Sequence, residues 1–496
     1  MRIIATDFHT LLSPAQCERR VYLDARATEA AEVSEFDEWL FAAGAAHEAG
    51  HLATLGPYVD LGEGGEDDRV ARTGAALKSG EAVLYQGELR AEIDLGGKTW
   101  TVVGAPDFIL LGACGKPSGK GGAHIIRDSK LARRIADKDH PEIFRQLELY
   151  GWLYEKTLGA PPAGLEVHAG DGSIVPIDYP GAAAVEARLE ALAAAKGAAT
   201  EPPAIVGRTK CGDCAFNDDC WPRAEAARDV ALVYGADQGL ARQLHADGTH
   251  TYDALAADYT EDALADLSRP WGQGSQRVGS AAGAILTGAR ALSTGKPQRL
   301  GPLPAFAEKN YVMFDLEGIP PYTEPETLIY LWGMQVYGQS PGPFLPALAG
   351  FDDQGDEHGW NEFLRIAGDL FREHGDIPFV HWHSYERTHV TAYMDHYGDP
   401  GGIAARVLDN LLDLLPITRG ALALPVTSYS LKVIEQYVGF ERSQEEFGGT
   451  WSIAQYMAAQ EMKPGAERDA IVAEILKYNE EDLAATWAVL DWLRGL

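Results

Sequence analysis

Side chains able to do acid and metal chemistry recur in this 496-residue chain at spacings that put them on shared faces. Asp107 follows the turn-forming Gly104-Ala105-Pro106, and Asp128-Ser129-Lys130 lies in a β-type run, so Asp128 and Lys130 project to the same side. Gln146 and Tyr150, four apart in a helical run, also share a face. Paired carboxylates can hold a divalent metal through oxygen. A lysine beside them can orient an attacking water or stabilise charge growing on a phosphate. A second acidic set begins with Asp315 and Glu317, two apart on a predicted strand and therefore on one face. It continues with Glu386 after Tyr385, Asp413, and the helical run Tyr478-Asn479-Glu480-Glu481-Asp482.

A third set consists of thiols. Of five cysteines, three form Cys211-x2-Cys214-x5-Cys220, while Cys17 and Cys114 lie far upstream. In a protein expected to be intracellular, clustered thiols point to metal rather than to disulfides. A four-thiolate site needs Cys17 or Cys114 to complete it, and an iron–sulfur cluster or a zinc ion would satisfy it. Cys114 sits in a Gly-rich turn and is the expected bystander.

Positioning these groups requires defined elements. Two β-rich runs are predicted around Thr99–Leu111 and His124–Leu131, then a helix over about Asp139–Glu155. An amphipathic helix over 36–55 carries His47, Glu48 and His51, and the acidic stretch 63–69 reads as a loop. A hairpin turning at Gly170-Asp171-Gly172 and an Ala-rich helix over 181–198 lead to the cysteines. Residues 226–300 read as a helical spacer with glycine between two short helices, a pattern loosely similar to a helix–hairpin–helix. Gly-, Ser- and Pro-rich stretches place a boundary near 305. Expected domains are therefore 1–225, 226–304 and 305–496, in an α/β protein.

Net charge is −31, which argues against a broadly basic surface but leaves room for a local one. Arg127, Lys130, Arg133, Arg134 and Lys138 form such a cluster. The apolar runs are short, so no membrane span is expected, and the start lacks a signal peptide's basic and apolar regions. A cytoplasmic protein is the expectation.

The order Asp107, Asp128-x-Lys130, Gln146-x3-Tyr150 resembles the PD-(D/E)XK nucleases of the RecB branch, whose fold is restriction-endonuclease-like. The resemblance implies that Asp107 and Asp128 bind catalytic metal, Lys130 assists hydrolysis, and the Gln146/Tyr150 helix lies against the substrate. It also implies a further metal ligand at His47, with Glu48 and His51 as weaker candidates. One upstream cysteine with three after the core resembles the iron–sulfur members of that branch, including CRISPR spacer-acquisition nucleases and AddAB-type subunits. There Cys17, Cys211, Cys214 and Cys220 would ligate a [4Fe–4S] cluster, with zinc as the alternative.

The second acidic set resembles the DEDD 3′–5′ exonucleases of the RNase H-like fold, in the YprB-type version. The resemblance implies Mg²⁺ or Mn²⁺ held by Asp315, Glu317, Glu386 and Asp482, with Tyr478 positioning water and Asp413 able to fill a remaining place. Glu386 departs from the aspartate usual there, and its extra methylene moves the carboxylate outward. Together the two halves imply a metal-dependent nuclease acting on nucleic acid, on DNA in preference to RNA, at single-stranded or unwound ends, in repair, recombination or defence. The resemblance also implies a helicase partner, because RecB-type nucleases often act on strands a motor has separated, and this chain shows no P-loop of its own. The alternative is a nucleic-acid-binding or assembly protein with one or both sites decayed.

Overall fold

A computed structural model describes residues 1–13, 15–27, 34–112, 124–212, 214–272, 274–321, 327–352, 354–444 and 448–496. Cys114 lies outside the described residues. Contacts divide the chain into two compact units, Met1–Ala204 with Lys210–Asn217, and Ile205–Thr209 with Asp218–Leu496. No helix among the described residues is long and apolar enough to cross a membrane.

In the first unit the predicted run Thr99–Leu111 is two strands in two different sheets. Lys98–Gly104 lies between Arg2–Ile4 and Leu89–Leu95 in a three-stranded sheet. Phe108–Leu111 lies in a six-stranded sheet between Val83–Tyr85 and His124–Ser129, followed by Gly164–His168 and Ile174–Ile177. Pro106 cannot donate to a ladder, so the chain changes sheet at the Gly104–Asp107 stretch. Asp107 therefore stands just before the strand, and Lys130 one residue beyond the end of His124–Ser129.

Helix Pro141–Leu158 covers both sheets. Proline opens it and Gly159, at φ 73°, closes it by donating to the Glu155 carbonyl. Leu147, Leu149, Trp152, Leu153 and Tyr154 are fully buried there and form the core with Phe8, Trp100, Ile126 and Val167. Helix Glu35–Thr54 leaves a half-buried stripe at 36, 39, 40, 43, 44, 47, 48 and 51, the spacing expected of one covered face. The acidic stretch 63–69 is in part the start of helix Glu66–Ser79. Glu66, Asp67 and Asp68 fill its first turn, where negative charge meets the helix's positive end. The hairpin and the Ala-rich helix (Ala182–Lys196) form as expected.

The second unit is built on a five-stranded sheet in the order Phe344–Leu348, Leu328–Gly338, Asn310–Ile319, Phe379–His381, Leu411–Asp413. The first three strands pair antiparallel and the last two join in parallel. Alternation along Asn310–Ile319 sorts its side chains. Val312, Phe314 and Leu316 enter one core with Trp332, Trp360 and Phe363, whereas Tyr311 and Met313 enter another with Leu483, Val489 and Leu490 of helix Ala466–Arg494. Burying each such apolar side chain contributes about 1.5–3 kcal/mol. Asp315 and Glu317 continue the Tyr311/Met313 face, so the pleat aims them at the long helix.

Residues 226–300 have their own apolar core around Leu240, Leu244, Leu255, Leu264, Ile285 and Leu286. The expected short helices are present as Gln238–Ala246 and Tyr252–Asp258, with Gly248 at φ 87° between them. Asp237 and Thr251 cap them through side-chain oxygens. The purely helical expectation is incomplete, because strands Ser268–Trp271 and Gly274–Arg277 pair antiparallel. Gln298–Arg299 also pairs with Leu422–Ala423.

Candidate functional site

Among the described residues, ligand-type side chains converge at one place in a group of three: Asp315, Glu317 and Asp482, with one oxygen of each within 4.8 Å of the others. Strand and helix explain this. The period of two brings Asp315 and Glu317 to the face under helix Ala466–Arg494, and Tyr478, Asn479 and Asp482 are buried on that helix. Asn479 Nδ2 donates to Asp315 Oδ2 at 2.7 Å. Its approach depends on Gly333, which pairs with Asp315 across the sheet. A Cβ at 333 would stand 1.7 Å from Asn479 Oδ1.

Burial, then the charges of Asp482, Glu317 and Glu386, holds the Asp315 carboxyl well above its ordinary range. Burial and Asp482 do the same to Glu317. Asp482 is raised by burial against the pull of Arg442, whose Nη2 donates to Asp482 Oδ1. Arg442 is itself gripped by Glu435, through Nε and Nη2 at 2.7 Å each. Burial and the same carboxylates push the Tyr478 phenol up, so it stays a hydroxyl. Crowded, half-neutralised oxygen ligands suit a hard divalent cation, whose charge removes their mutual repulsion.

Two further expected ligands, Glu386 and Asp413, are not in the group of three. Glu386 is 2% exposed and accepts from His381 Nδ1 at 2.9 Å, outside the group of three. Asp413 Oδ1 accepts from Leu415 N and His383 N, both at 3.0 Å, and so caps helix Leu414–Ala421. His383 there holds a left-handed backbone at φ 82°, a conformation costly for a residue with a side chain.

The first unit assembles a different cluster. Asp107 Oδ2 accepts from Ser129 N at 2.7 Å, Asp128 Oδ1 accepts from Asp107 N at 3.1 Å, and Lys130 Nζ lies 2.6 Å from Asp128 Oδ2. Burial first and Asp128 second push the Asp107 carboxyl up to about 9, against Lys130. Burial pulls the Lys130 ammonium down, but Asp128 and Asp107 outweigh it and leave it raised. Gln146 Nε2 donates to Tyr150 OH at 2.7 Å, and the Tyr150 phenol is raised by burial, then by Asp128. Gly104 admits that ring, since a Cβ there would lie 2.7 Å from it. Glu48 joins through Gln86, whose Nε2 donates to Glu48 Oε1 at 2.6 Å and Asp107 Oδ1 at 3.4 Å.

His47 is not in a group of three ligands among the described residues. Its ring stacks on His168 at 4.2 Å, and its buried Nε2 has no hydrogen-bond partner. His51 stacks on the same ring at 3.9 Å. The expected basic cluster is partly neutralised: Arg127 pairs with Glu166 and Lys130 with Asp128, while Arg134 and Lys138 are exposed. Cys17, Cys211 and Cys214 belong to the first unit and Cys220 to the second, and all four are half-buried.

Sequence reasoning passed over Asn479, Gly333, Arg442, Glu435 and Gln86. One signal was available, because Asn479 stands inside the Tyr478–Asp482 run. Gln86 shows itself only in three dimensions, by a left-handed φ of 56° beside two carboxylates.

A family model described as the RNase H superfamily matches residues 312–494. Residues 312–494 are thus an RNase H-like domain, a nuclease-type fold, within a mixed α/β chain. No curated protein matches. Among solved structures, one titled "Crystal structure of SSO0001" is 20% identical over 44% of this chain and 85% of its own. Its TM-score is 0.27, and a likeness at that level carries no argument.

Proposed function

We propose that this protein is a metal-dependent nuclease hydrolysing phosphodiester bonds in DNA at single-stranded or unwound ends. The carrying observation is the convergence of Asp315, Glu317 and Asp482 inside the RNase H-like match. A Mg²⁺ or Mn²⁺ ion bound there supplies Lewis acidity and an activated water. The chain does the rest. Asn479 fixes Asp315 by a hydrogen bond, and the Tyr478 hydroxyl, kept protonated, orients the water. Exonucleolytic cutting from 3′ ends is the reading for this domain.

The first unit is read as a second, PD-(D/E)XK nuclease site. Asp107 and Asp128 would hold metal, Lys130 would meet charge on the phosphate, and Gln146 and Tyr150 would face the substrate. Its support is the hydrogen-bonded Asp107–Asp128–Lys130 cluster. The half-buried thiols Cys17, Cys211, Cys214 and Cys220 are read as [4Fe–4S] ligands, which their soft donor chemistry suits. Cytoplasmic action beside a helicase in repair, recombination or defence completes the reading.

A second reading, a C-terminal domain that binds without cutting, is favoured by one observation, the engagement of Glu386 by His381. End-labelled single-stranded DNA with Mg²⁺ or Mn²⁺ decides between them. Ladders from 3′ ends that vanish with EDTA support the nuclease, whereas retention without shortening supports the binder. For the thiols, anaerobically purified protein should be brown with about four irons per chain. Zinc in place of iron would overturn the cluster.

A further inference from the structure

A two-ion acid site needs carboxylates on both sides of the reacting phosphate, one of them shared between the ions. Here the fourth carboxylate stands outside the group of three: Glu386 accepts from His381, close enough for its charge to act on Asp315, and Asp413 caps a helix. Two cations of the chain's own act on Asp482: Lys432 through its charge, and Arg442, which donates to it directly. Arg442 is held on a two-point fork by Glu435, which is 3% exposed, and reaches Asp482 Oδ1 with the same Nη2. Its guanidinium carbon lies 5.7 Å from the Tyr478 ring centroid, on the residue expected to orient water. Its Nη1 is buried and has no hydrogen-bond partner. A buried unpaired donor is unfavourable, and a phosphate oxygen is an acceptor that satisfies it.

Resting on the nuclease reading of this site, we propose that it takes a single divalent ion and that Arg442 is the second cation, donating to the scissile phosphate. Glu435 is then a positioning residue, present to aim the guanidinium. An arginine suits the place because its planar fork can bind a carboxylate on one edge and a phosphate on another, which an ammonium cannot do.

The test uses the full chain carrying Asp107→Ala, so that the first unit does not mask the count. Mn²⁺ titrations followed by calorimetry and electron paramagnetic resonance are compared with those of the same chain carrying Asp315→Ala as well. The expected difference is one uncoupled Mn²⁺ ion. Arg442→Gln should bind that ion more tightly, because a competing charge has left Asp482, while kcat on single-stranded DNA falls about a hundredfold. Arg442→Lys keeps the charge if the glutamine variant fails to fold, and should restore folding and the wild-type Mn²⁺ affinity but only part of kcat. Two spin-coupled ions at this site, or unchanged kcat in either Arg442 variant, would overturn the proposal while leaving a nuclease. No ion lost on Asp315→Ala would instead overturn the nuclease reading itself, and this proposal with it.

Discussion

The two acidic clusters neutralise themselves in opposite ways. In the first unit both carboxylates meet donors from the end of His124–Ser129, Asp128 the Lys130 ammonium just beyond it and Asp107 the Ser129 amide. In the second unit three carboxylates face one another, with Arg442 donating to Asp482 and the charge of Lys432 acting on Asp482 and Glu317. A strand glycine makes room for a helix residue in both places, Gly104 for Tyr150 and Gly333 for Asn479. Similar packing devices thus serve different electrostatics. The first cluster keeps a cation of the chain's own beside Asp128, whereas in the second three carboxylates crowd one another, an oxygen of each within 4.8 Å of the others.

The sharpest way to break this comparison is to remove one acid from each side and read cleavage. With the first unit silenced by Asp128→Ala, Asp315→Ala should lower the remaining metal-dependent cleavage about a thousandfold, the upper range for losing one electrostatic stabiliser. Persistence of that cleavage would show that the second cluster is not the cutting site.

A smaller effect, on stability without metal, should have opposite signs. Asp315→Asn removes one of three crowded carboxylates and still accepts from Asn479, so the metal-free protein should melt higher. Asp128→Asn strips Lys130 of its partner and should cost about 1–3 kcal/mol, lowering Tm by a few degrees. Differential scanning calorimetry in EDTA reads both, and shifts of the same sign would erase the distinction drawn above.

The smallest expected effect is on pH dependence. The folded Asp107 carboxyl, at about 9, stands far above its ordinary value of roughly 4. A raised carboxyl stabilises fully below its unfolded pKa, and that contribution is lost as pH rises towards the folded one. Between about pH 4 and 9, Asp107→Asn should therefore flatten the decline in metal-free stability measured by urea unfolding. An unchanged slope would mean that Lys130 and the Ser129 amide already neutralise the charge.

What the sequence made legible were residues whose neighbours in space are also neighbours in period. Asp315 and Glu317 share a pleat face, Tyr478 and Asp482 a helix face, and Gln146 and Tyr150 another, so local geometry alone set their direction. Asp128 and Lys130 were readable for the same reason. Glu386 and Asp413 carry the right chemistry, but their contacts with His381 and with a helix N-terminus were unreadable from spacing. Arg442 and Glu435 have no periodic relation to the acids they serve. The break in Thr99–Leu111 was announced by Pro106, yet the two destination sheets were not. The hairpin at Ser268–Arg277 was hidden by its composition, since Gly, Ser, Gln and Arg are weak strand formers apart from their pairing.

The hydrogen bond from Asn479 to Asp315 spans 164 residues of chain. A ribosome adding about 5–20 residues per second needs roughly 10–30 s to cover that distance. Throughout that interval the strand bearing Asp315 and Glu317 has emerged without the helix bearing Asp482, and three-carboxylate binding is impossible. A half-made chain therefore lacks the three-carboxylate group, and so does a fragment truncated before Asp482. Splitting its acids between an early strand and a late helix gives the domain an intrinsic delay, so that the three-carboxylate group is complete only once both have emerged.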